Sequence, residues 1–186
     1  MPAQRPEGPR GAVVRWMIDQ HPGTLFLLAD SARDDAVLPT LLRERLEPRS
    51  LYEGWQGEGL SEVAPYLAAV PREGPFLDAW IDASWGASWG TFLFSDVTIF
   101  ELRRHLRRFL KVRGEDGRTL LFRFYDPRVL RAYLPTCTPA EAEAFLGPVR
   151  FWICEGPRGA ALMRFHPTPA GLGCDSEALP DAPVDD

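Results

Sequence analysis

Residues 24–29, Thr-Leu-Phe-Leu-Leu-Ala, form an unbroken apolar run closed by Asp30-Ser31. The run is too short to cross a membrane and too uniform for a strand with one wet face. It predicts a strand buried on both sides and followed by a loop. Such a strand has to be covered by other elements, and the rest of the chain supplies them in alternation.

Residues 36–46 set Val37, Leu38, Leu41, Leu42 and Leu46 on one helical stripe, with Pro39 in the first turn. Residues 66–70 read as a second strand with Pro65 and Pro71 at its ends. Phe76, Leu77, Trp80, Ile81 and Trp85 have helical spacing, and Gly86 is available to end that helix in a left-handed conformation. Residues 89–94 then read as a strand. A helix over 97–110 follows, capped by Ser95 or Asp96, with Ile99, Leu102, Leu106, Phe109 and Leu110 inward. Its other face carries Arg103, Arg104, Arg107, Arg108 and Lys111.

Glu115-Asp116-Gly117 has the composition of a tight turn, which predicts a hairpin of residues 111–113 with 119–125. Leu120, Phe122 and Phe124 alternate with Leu121, Arg123 and Tyr125, the strongest strand pattern in the chain. Asp126-Pro127 reads as an N-cap and first residue of a short helix. Thr138-Pro139-Ala140-Glu141 is a capping box whose helix closes at Gly147-Pro148. Residues 150–154 and 160–165 pair as a last hairpin. The fold class is therefore α/β: a mixed central sheet flanked by helices in a single compact domain.

The chain has 186 residues, 45% hydrophobic, including 11 Phe and 6 Trp, enough for one sizeable core. Its domain is expected over residues 11–165. Residues 1–10 read as a flexible lead, and residues 166–186, rich in Pro and ending acidic, as a flexible tail. Cys137, Cys154 and Cys174 are odd in number and widely spaced, which reads as a reducing compartment. With no apolar core of a signal peptide near the N-terminus and no membrane-length run, a soluble cytoplasmic protein is expected.

Gly86-Ala87-Ser88-Trp89-Gly90 satisfies the G-x-S-x-G pattern of serine hydrolases, and Asp126 and His166 follow in the required order. The elbow needs a strand before the serine and a helix after it, whereas the order here is reversed. His21, His105 and His166 have no metal-ligand spacing, and His105 reads as a solvated or boundary residue. Gly54-Trp55-Gln56-Gly57-Glu58-Gly59 lacks the order and the frame of a dinucleotide loop. No cofactor or metal is expected.

The 21 basic residues include a single lysine, Lys111. The arginine-rich face has three readings: a solvated surface, a dock for acidic protein segments, or a nucleic-acid binder. The net charge of −5 and the lack of aromatic residues between the arginines weigh against nucleic acid.

Phe122-Arg123-Phe124-Tyr125-Asp126-Pro127-Arg128-Val129-Leu130, downstream of His105-Leu106-Arg107, resembles the domain-of-unknown-function family of type VI secretion effector chaperones, also called adaptors. The resemblance extends to residues 27–33, 51–54, 64–67, 89–90 and 145–148. It implies a protein with no catalytic activity of its own. Such a protein binds a toxic effector in the producing cell and helps load it onto the VgrG spike or PAAR tip, with no role for membrane or nucleic acid. On that reading Arg107, Arg123, Tyr125, Asp126 and Arg128 are the candidate protein-binding residues. Each also has a structural reading, Asp126 as N-cap and Arg128 as its ion-pair partner. A small hydrolase built on Ser88 and a nucleic-acid-binding arginine face are the alternatives.

Overall fold

A computed structural model describes residues 6, 8–52, 60–114 and 116–180. In chain order the elements are α1 (Arg10–Asp19), β1 (Thr24–Asp30), α2 (Val37–Arg43), β2 (Arg49–Ser50), β3 (Pro65–Ala69), α3 (Phe76–Ser84), β4 (Gly90–Ser95) and α4 (Ile99–Arg107). There follow β5 (Lys111–Arg113), β6 (Thr119–Leu121), α5 (Pro127–Tyr133), α6 (Pro139–Leu146), β7 (Val149–Glu155), β8 (Ala161–Thr168) and β9 (Gly171–Ala178). Seven strands form an antiparallel sheet in the order β2-β3-β1-β4-β7-β8-β9, and β5-β6 stand apart as a two-stranded ribbon.

β1 is buried from Leu25 to Asp30, and strand alternation divides it between two cores. Leu25, Leu27 and Ala29 meet Val14 and Ile18 of α1, Val37 and Leu41 of α2, and Trp80 and Ile81 of α3. Phe26 and Leu28 belong to the opposite core with Leu102 and Leu106 of α4, Leu130 of α5 and Phe145 of α6. The first three helices thus cover one face and the last three the other. The result is a three-layer α/β/α domain, the helix-flanked central sheet that the sequence predicts, with every strand pairing in it antiparallel.

Several boundaries move for local reasons. The fourth helix is capped by Thr98, not Ser95 or Asp96, because Thr98 and Glu101 satisfy each other's backbone N–H groups in a capping box. Thr138 and Glu141 form the second such box, as the sequence predicts. Gly86 has φ +97 and follows α3 in the left-handed region. Helix α1 was not among the expected elements, although Val13, Val14, Met17 and Ile18 lie at helical spacing and are buried.

Two larger corrections concern the second half. The strand expected over 119–125 ends at Leu121: the Phe122 N–H reaches the Leu110 carbonyl at 2.9 Å, and the chain then turns inward. Phe124 is buried beside Phe145 and Trp152, and Tyr125 is buried beside Phe124, instead of lying on a ribbon. Residues 166–180 are not a loose tail. His166–Thr168 complete β8, and β9 pairs with β8 from Ala161↔Ala178 to Thr168↔Gly171. The acidic tip 181–186 and the first five residues lie outside the described residues, as does the glycine-rich stretch 54–59.

Candidate functional site

The C-terminal ends of β1 and β7 and the start of β4 meet at one end of the sheet, and α5 begins there. β1 delivers Asp30, which is fully buried. Its carboxylate accepts from the Ala32 N–H at 3.2 Å and from the Arg123 guanidinium at 2.5 Å. Burial pushes the Asp30 carboxyl above its ordinary value, and Arg123 opposes that rise. Arg123 is 40% exposed, so a buried carboxylate holds the direction of a half-exposed cation.

Asp126 repeats this arrangement. Its carboxylate caps α5 by accepting from the Arg128 N–H at 2.9 Å, and it receives the Arg128 side chain at 3.0 and 2.6 Å. Burial acts to raise Asp126, but the Arg128 bonds outweigh it and hold the carboxyl below its ordinary value. Arg128 is 52% exposed over an Asp126 that is 3% exposed. The N-cap role and the ion pair are both present, as the structural reading of these residues holds.

Tyr125 lies between the two pairs and is 1% exposed. Its hydroxyl meets that of Tyr52 at 3.3 Å, and Arg123 stands 5.9 Å over its ring. Burial pushes the phenol strongly upward, so Tyr125 is a neutral, positioned hydroxyl. Arg107 is not part of this cluster. Its Nε donates to the Leu51 carbonyl at 2.8 Å, and Arg103 likewise reaches the Ser50 carbonyl at 2.7 Å. Half of the arginine face therefore pins the residue 50–52 segment, and that segment carries Tyr52 to Tyr125. Of the expected residues, Arg123, Tyr125, Asp126 and Arg128 come together, and Arg107 is tied to the Leu51 carbonyl next to Tyr52.

Sequence reasoning missed Glu155, Arg131 and Tyr52 at this end. Glu155 ends β7 nearly buried, accepts the Ser88 hydroxyl at 2.9 Å and the Gly86 N–H at 2.5 Å, and its carbonyl receives Arg131. An apolar strand, Arg150–Cys154, that ends in a lone acid was the available signal. Ser88 has φ +60, precedes β4, and its hydroxyl donates a hydrogen bond to Glu155, while His166 meets Asp175 at 3.2 Å on the β8–β9 hairpin. Ser88, Asp126 and His166 do not form an array.

His105 is also corrected: it is 8% exposed, its Nε2 lies 2.8 Å from the Phe145 carbonyl and its Nδ1 receives Arg108 at 2.6 Å. The helix turns it inward beside Leu102 and Leu106. Among the described residues, no group of three His, Cys, Asp or Glu is placed to hold a metal ion, and no helix is long and apolar enough to cross a membrane. The three cysteines are free, and burial pushes the Cys154 thiol up to about 12.

The fold and this sheet end define a three-layer α/β domain that presents two guanidinium groups on buried carboxylates. The model of a domain-of-unknown-function family, DUF4123, matches residues 25–144, well over half of the chain, and the chain belongs to that family. No curated protein and no solved structure matches it.

Proposed function

We propose that the protein is a non-catalytic adaptor that holds a type VI secretion effector and helps load it onto the VgrG spike or PAAR tip. The resemblance in residues 27–33, 89–90 and 122–130 supports this reading, as does family membership. The observation that carries it is the convergence of those three segments at one sheet end. There Arg123 and Arg128 are 40% and 52% exposed, and each is held by a buried aspartate. Guanidinium groups set in advance lose little freedom when they meet a partner's carboxylates or carbonyls.

The test is co-expression of the full chain with candidate effector, spike and tip proteins from its source, followed by affinity capture in moderate salt. The expected result is a stoichiometric effector or spike-tip partner, lost on combining Arg123→Ala with Arg128→Ala in a chain that still folds. Recovery of no partner by folded wild-type protein would sink the adaptor reading.

A further inference from the structure

The β5–β6 ribbon is exposed along both strands. The register pairs Lys111 with Leu121, Val112 with Leu120 and Arg113 with Thr119. Strand alternation therefore puts Lys111, Arg113, Thr119 and Leu121 on one face and Val112 and Leu120 on the other. Val112 is 41% exposed, Leu120 50% and Leu121 51%. A ribbon of two short strands is marginal in water unless a helix or a third strand covers its apolar side chains.

Beneath the ribbon runs an open groove of about 420 Å³ between Leu121 and Leu60, floored by Leu51 and Tyr52 and edged by Arg108 and Lys111. Leu60 is 46% exposed. Among the described residues the surroundings are basic. Lys111, Arg113 and Arg118 lie on the ribbon and Arg104, Arg107 and Arg108 on or just after α4, while Asp116 is tied to Arg118 at 3.3 Å. The recess beside α2 has the opposite character, with Asp34, Asp35 and Glu62 around Leu38 and Leu42. In a chain of net charge −5, a basic surface that also exposes leucine and valine has a specific complement.

We propose that the β5–β6 ribbon and the groove beneath it dock an acidic, apolar segment of the client protein. Its apolar side chains cover Leu60 and Leu121, and its carboxylates lie along Arg108 and along Lys111 and Arg113, which are on the same face of the ribbon as Leu121. The inference deepens the adaptor reading and rests on it. A nucleic-acid strand fits less well, because aliphatic side chains give its bases no aromatic face to stack on. Recognition by charge and apolar contact together predicts fast, salt-sensitive capture with the apolar contacts setting the dwell time.

The test uses the full chain and a fluorescent peptide alternating glutamate and leucine, followed by anisotropy. Binding is expected, with loss at high salt and about a tenfold weakening in Lys111→Glu and in Leu121→Ser. Both sites are exposed, and unchanged melting curves would separate lost docking from lost fold. Equal binding by the variants, equal binding of a glutamate-serine or lysine-leucine peptide, displacement by single-stranded RNA, or masking of the ribbon by self-association would each overturn the proposal.

The same variants enter the co-expression capture. A client lost by Lys111→Glu and Leu121→Ser supports the ribbon as the dock. A client retained by both removes the ribbon and leaves the adaptor reading standing. Peptide binding by a wild-type chain that captures no client leaves the ribbon as a dock and removes the adaptor reading.

Discussion

Arg123 donates to Asp30 at 2.5 Å across 93 residues of sequence, and this bond fastens the segment after β6 to the end of the central strand. Removing the cation leaves a fully buried carboxylate without its partner. Arg123→Ala is therefore expected to cost about 2–3 kcal/mol near neutral pH, a value moderated by the solvent exposure of Arg123. Asp30→Asn, which keeps an acceptor for the Ala32 N–H, is expected to cost about 1 kcal/mol. Burial already raises the Asp30 carboxyl, and loss of Arg123 raises it further. The folded variant then takes up a proton more readily than the unfolded chain, so its deficit shrinks as pH falls. Urea titrations of both variants at neutral and acidic pH check the sign.

Trp152 and Thr91 are both fully buried, and the indole N–H donates to the threonine hydroxyl at 2.8 Å. Thr91→Val keeps the shape and strands the indole donor. A loss of about 1–3 kcal/mol is expected, with Thr91→Ser restoring the bond but leaving a small void. Denaturant midpoints of the two variants give the comparison.

Gly90 begins β4 where it crosses β1. A Cβ there would fall inside contact distance of the Leu28 carbonyl oxygen and 2.9 Å from the Ala29 Cα, both backbone atoms that cannot rotate away. Gly90→Ala is expected to cost at least about 3 kcal/mol and to appear as lost soluble yield or a sharply lowered melting temperature.

Burial lowers the His105 imidazole from its ordinary value near 6.5, and the neighbouring Arg108 adds to the effect. The unfolded chain then binds a proton at a pH where the folded chain does not. The stability that neutral His105 contributes is present above about pH 6.5 and is lost as pH falls through the lowered folded value. Melting temperatures between pH 7 and 5 are expected to fall less steeply in His105→Gln than in wild type. Equal slopes would remove His105 from the acid response. His21 shifts the same way and adds to the slope.

The central strand, α3 and the Thr138 capping box were legible because each depends on local pattern: an apolar run, a stripe, a reciprocal cap. The site was half legible. Asp126 and Arg128 announce their own cap, whereas the Asp30–Arg123 pair depends on a chain reversal that no local pattern encodes. Leu120 to Phe124 alternate like a strand, yet the alternation serves two purposes. Leu120 and Leu121 stay outside, while Phe122 and Phe124 pack toward Phe145 once the chain has turned. β9 was hidden for the opposite reason. Gly171, Gly173, Asp175 and Ser176 show no apolar alternation, because backbone bonds to β8 and the Arg164–Asp175 bridge hold the strand without burial of those side chains. The buried stripe of α1 was readable and stood masked by the Pro- and Gly-rich residues before it.

Alternate residues of β1, β4 and β7 feed both cores, so the layers share their middle strands as a riveted joint shares its rivets. Prising one layer open would loosen the other, and a one-residue slip of β1 would exchange the contents of both. The domain therefore has no seam along which to part around a guest. On the adaptor reading, a client would be borne on the rim rather than between the layers.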